Sequence, residues 1–139
     1  MKTNYLIISL VFSFFLLMNF SLLQTDNGLK RKWQLVEFQK FTKEELTKNN
    51  AYIDLTKIEK GGNAKMGCNY IFFNVKVKKS QKIAISNVGS TAMYCENMAL
   101  EAEFSNFLPS VNEYKITGHY LILKNTKGET MKFIAEDWD

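Results

Sequence analysis

Cys68 and Cys95 are the only two cysteines of the 139-residue chain, and they lie 27 positions apart. Three chemistries suit such a pair. The first is a disulfide, which oxidising compartments favour and which, closing a loop of this length, adds roughly 3 kcal/mol by restricting the unfolded chain. The second is a soft-metal site. Met66, Met93 and Met98 flank the cysteines, and thiolate with thioether sulfur is the donor set that selects Cu(I). Methionines also fill irregular core gaps, and that reading is preferred, so no metal or cofactor is expected. The third is thiol–disulfide exchange. It calls for a low-pKa thiolate beside its resolving partner, typically as Cys-x-x-Cys at a helix start, and that spacing is absent.

The remaining reactive side chains are sparse. His119 is the only histidine, placed beside Gly118 in a turn, so no Ser-His-Asp set can be assembled around more than one ring. Glu101 and Glu103 stand two apart in a helical pattern and therefore point in different directions, which disfavours a paired acid–base role. No phosphate-binding loop, zinc pattern or dinucleotide fingerprint occurs. The net charge of +4 is spread over interspersed Lys and Glu, as on an ordinary solvated surface. Phe72, Phe73, Lys76, Lys78 and Lys79 interleave rings with charge, but export would remove nucleic acid as a partner. A non-enzymatic protein that binds an unidentified ligand or envelope protein is the expectation.

These residues must be positioned by a fold. The chain opens with Met1-Lys2 and an apolar run from Tyr5 to Leu23, the pattern of an export signal. The run is close to the length that spans a bilayer, so 1–25 reads as a signal peptide or an N-terminal membrane anchor. Lys30-Arg31-Lys32 follows, where it would touch anionic headgroups or keep the junction wet. The roughly 115 residues that remain suit one domain. Strand patterns cover Trp33–Phe38, Tyr52–Ile58 and Ala64–Cys68, with Gly61-Gly62 as a hairpin turn between the last two. Further strands cover Ile71–Lys78, Lys82–Ser86, Tyr114–Thr117, Tyr120–Lys124 and Thr130–Ala135. Leu100, Phe104, Phe107, Leu108 and Val111 recur at helical spacing, with Asn97 as N-cap and Pro109 as the stop. The class is α+β: about eight short, mainly antiparallel strands with one amphipathic helix. A closed barrel and a strongly curved open sheet both satisfy these connections.

The order of motifs is specific. Trp33 in a first strand, Gly67-Cys68-Asn69, Thr91-x-Met93-x-Cys95, Glu101-x-x-Phe104 and then Tyr114-x-Ile116-x-Gly118 resemble the META domain of HslJ-like heat-shock proteins, over 31–137. The resemblance implies a bacterial protein of the periplasm or cell envelope, secreted or membrane-associated, linked to the stress response and without an assigned molecular activity. It marks Gly67, Cys68, Asn69, Thr91, Met93, Cys95, Glu101 and Phe104 as the family's motif residues. One departure is that Phe72 or Phe73 stands where family members usually place a glycine.

Overall fold

Period-two alternation of apolar side chains builds eight strands in the computed structural model, which describes residues 28–138. The leader expected over 1–25 lies outside the described residues. The strands are β1 (Lys32–Phe38), β2 (Tyr52–Asp54), β3 (Gly62–Lys65), β4 (Tyr70–Val77), β5 (Ile83–Ser90), β6 (Val111–Thr117), β7 (Tyr120–Asn125) and β8 (Thr130–Ala135). They form one antiparallel sheet in the order β5-β4-β3-β2-β1-β8-β7-β6. The two outer strands meet through a bridge between Lys82 and Glu113, reinforced by the Tyr114 N–H donating to the Gln81 carbonyl at 2.9 Å. The sheet is therefore a nearly closed barrel.

Inward positions of the strands fill the barrel: Leu35, Ile53, Ile71, Phe73, Leu121, Leu123 and Phe133 are buried. Trp33 joins them, its indole N–H donating to the Leu29 carbonyl at 3.1 Å, as a buried indole requires. A short helix, α1 (Lys43–Lys48), starts at a capping box between Thr42 and Glu45. The amphipathic helix α2 (Ala99–Phe107) buries Leu100, Phe104 and Phe107 and covers one end of the barrel. There the Phe107 ring meets Phe38 edge-on at 5.4 Å. A 3-10 turn over Leu108–Ser110, with Pro109 in its first positions, ends the helix, because proline supplies no N–H to continue it.

Several local expectations are corrected. Gly61-Gly62 is no two-residue hairpin turn: β2 stops at Asp54, a 3-10 turn occupies Ile58–Lys60, and Gly62 opens β3. Gly62 pairs with Phe73, and a Cβ there would stand 2.4 Å from the Phe73 ring. The glycine thus makes room for the bulky side chain that follows the Gly-Cys-Asn motif. The helix cap is Met98, and Asn97 instead accepts from the Ala99 N–H at 3.2 Å. Beyond β8, Glu136 and Trp138 are held against the barrel. The Glu136 N–H donates to the Lys32 carbonyl at 3.0 Å, and Trp138 stacks on His119. Lys30, Arg31 and Lys32 face Glu59, Asp137 and Glu136 respectively, so this basic cluster is matched by acids and is not an open patch.

Antiparallel pairing sorts the connections to two poles. One pole holds the start of β1, the chain terminus and the β4–β5 and β6–β7 turns. The other holds the β3–β4 turn, the segment after β5 and α2, and all the cysteine chemistry lies there.

Candidate functional site

The turn between β3 and β4 and the segment that follows β5 are joined at this second pole. Cys68 is bonded to Cys95, with Cα atoms 6.2 Å apart, inside the span that a disulfide bridges. Gly67 precedes it at φ +121°, and a Cβ there would stand 2.5 Å from the Asn49 side-chain oxygen. Only glycine meets both conditions.

Asn69 is the hub. Its side-chain oxygen accepts from the Thr91 hydroxyl at 2.7 Å and from the Met93 N–H at 2.8 Å. Its side-chain nitrogen donates to the Met93 carbonyl at 3.1 Å and to Glu101 Oε1 at 2.9 Å. Its backbone N–H donates to Glu101 Oε2 at 2.8 Å. Every bonding position of the amide is thereby used. Thr91 continues the chain by accepting from the Tyr70 N–H at 3.2 Å. Glu101, 5% exposed, sits in the first turn of α2, where the helix dipole favours a negative charge.

The Glu101 carboxylate turns inward from α2 to grip Asn69. The hub was missed because a buried Glu on an otherwise apolar stripe has no periodic signal; the order Gly-Cys-Asn was its only trace. Phe104, fully buried one turn further on, anchors the same helix below. Thus Gly67, Cys68, Asn69, Thr91, Cys95 and Glu101 come together, and Met93 contributes its backbone while its side chain projects outward, half exposed.

The polar groups of this cluster satisfy one another, so what the arrangement does is hold a loop. Tyr94, between the pinned Met93 and Cys95, is 93% exposed. With both sulfurs bonded neither is a thiolate, so a Cu(I) set of Met66, Cys68, Met93, Cys95 and Met98 requires the reduced protein. Met66 is buried in the core cluster. Among the described residues no group of three or more His, Cys, Asp or Glu is placed to hold a metal ion. A cleft of about 300 Å³ lies elsewhere, on the β5–β6 seam, lined by Gln81, Glu113, Tyr114 and Lys124 among others. Lys82 and Lys124 beside Glu113 hold its carboxyl below the ordinary carboxylate range.

The family model of the META domain matches residues 26–138. The chain belongs to the META domain family. Solved structures share this fold. An NMR structure of a protein from Burkholderia xenovorans superposes with a TM-score of 0.59 at 14% identity, covering 78% of this chain and 83% of that one. A second NMR structure gives 0.61 at 18% identity, over 78% and 92%. A crystal structure of a DUF4847 family protein from Bacteroides vulgatus gives 0.56 at 13% identity, over 81% and 96%. No curated protein matches the chain.

Proposed function

We propose that this META-domain protein is exported to the periplasm or cell envelope and acts there in stress tolerance by binding a partner, without catalysis. The observation that carries this reading is the loop Thr91–Cys95, which is pinned by a disulfide at one end and by Asn69 at the other, yet exposes Met93 and Tyr94. A tyrosine held out on rigid backbone binds at low entropic cost, since few of its torsions remain to be frozen. The apolar leader and the disulfide both suit an oxidising compartment outside the cytoplasm. The link to stress rests on the HslJ-like resemblance. Complementation of a deletion strain after heat stress tests the reading. The wild-type chain restores survival and Met93→Ala/Tyr94→Ala, shown to be folded and oxidised, does not. Equal rescue by the two chains overturns binding through this loop.

A further inference from the structure

The outer face of β3, β4 and β5 carries side chains that the core does not use. Phe72 is 50% exposed and Tyr70 44%. They are two residues apart on β4 and therefore share a face. The sheet register sets Gly89 beside Phe72, Ser86 beside Asn74 and Lys65 beside Tyr70. A Cβ on Gly89 would meet nothing within 4 Å, so the flank of the Phe72 ring is open. The Lys65 ammonium lies 5.1 Å from the centre of the Tyr70 ring, and Lys76 continues the same face beyond Asn74. None of these side chains is acidic. Asp54, which pairs with Asn63 across β2–β3, accepts from the N–H and hydroxyl of Thr56 at 2.9 and 2.7 Å.

The frame decides what fits. An apolar protein knob on the two rings would strip water from Asn74 and Ser86 without offering them partners, at a cost for each unpaired group. A pyranose ring offers an apolar C–H face for the aromatic rings and hydroxyls for the flanking amide and hydroxyl groups. The lysines add attraction for negative charge. We infer that this face binds an anionic glycan, a saccharide chain bearing carboxylate or phosphate groups, with its C–H faces on Phe72 and Tyr70. Its hydroxyls bond Asn74 and Ser86, and its anionic groups meet Lys65 and Lys76. The face is distinct from the Met93–Tyr94 loop and does not depend on it.

Calorimetric titration of the protein purified from its native host tests this with five probes. Oligogalacturonate carries carboxylates on rings and phosphomannan carries phosphates; cello-oligosaccharide has rings without charge, while polyglutamate has charge without rings. Phosphatidylglycerol vesicles present the anionic lipid alternative. At least one anionic glycan is expected to bind saturably and more tightly than the other three probes, and whichever binds identifies the charged group. Phe72→Ala and Lys76→Gln, both at exposed positions and checked for unchanged melting, are each expected to weaken that binding at least about tenfold. Tyr94→Ala is expected to leave it unchanged. Absence of saturation with both anionic glycans overturns the inference. So does polyglutamate or vesicle binding of equal strength, or glycan binding that Phe72→Ala leaves intact.

Discussion

Replacing Asn69 by alanine removes four side-chain hydrogen bonds at once, and two segments, the one after β5 and α2, lose their common partner. The bonds to Thr91 and to the backbone of Met93 are between neutral groups, each worth about 1 kcal/mol net, and the bond to Glu101 is worth about 1.5–3 kcal/mol. Met93 is half exposed, so water recovers part of its share, and the expected loss is about 4 kcal/mol. That is a large fraction of the stability of an ordinary domain. The same geometry makes a sharper demand on Glu101. Both carboxylate oxygens accept from Asn69, so Glu101→Gln presents an N–H₂ donor to one of two donors. Its amide keeps the shape and still costs about 1.5–3 kcal/mol. Urea denaturation of the oxidised protein measures both, as a shift in midpoint at constant slope. The double variant should lose less than the sum of the single losses, because the two residues share a bond. A loss below about 1 kcal/mol for Asn69→Ala, or strict additivity of the pair, would refute the hub.

Other perturbations test the remaining parts. Cys68→Ser/Cys95→Ser should destabilise the protein by about 3.5 kcal/mol in the loop-closure model without changing the fold. Thiol labelling of unfolded, unreduced protein from its native compartment should find no free cysteine; two labelled cysteines per chain would instead return both sulfurs to the Cu(I) reading. Phe104→Ala, at a fully buried site, should cost about 3–5 kcal/mol, and a loss under about 1 kcal/mol would mean that α2 does not plug the barrel. Because Glu113 is held below its ordinary value of 4.5 by Lys82 and Lys124, its stabilising contribution is complete above that value and disappears as pH falls through the lower folded-state value. The protection factor of the Tyr114 amide, its exchange rate divided into the intrinsic rate at each pH, should therefore fall in acid, and Glu113→Gln should abolish that fall.

Strand positions were legible wherever one face met the core and the other met water, as along Ile71–Val77. The helix was legible because Leu100, Phe104 and Phe107 share one stripe. Legibility failed where tertiary packing overrode local signals. Gly61-Gly62 reads as a turn because the sequence does not reveal that Phe73 will lie against Gly62. β5 reads as ending at Ser86, since Asn87 and Gly89 disfavour a strand. A positive φ at Asn87 instead lets the strand continue past an irregular register to Ser90. In the site, the cysteines announced themselves by scarcity. The inward turn of Glu101 did not, because its partner is 32 positions away and only the folded chain brings the two together.

Pairing of β1 with β8, which sets Trp33 opposite Ala135, divides the barrel into two meanders, β1 to β5 and β6 to β8. Within each meander every strand pairs with its neighbour in sequence, so its hairpins close short loops and form early. The β1–β8 ladder must wait for nearly the whole chain, and contacts of such separation set the pace of folding. Until it forms, β1 presents an unpaired edge, the template on which chains associate wrongly. The disulfide ties the β3–β4 turn to the segment just after β5 and holds neither β1 nor β8, so it bears little on this late closure. Reduction should therefore speed unfolding while the slow phase of refolding keeps its rate.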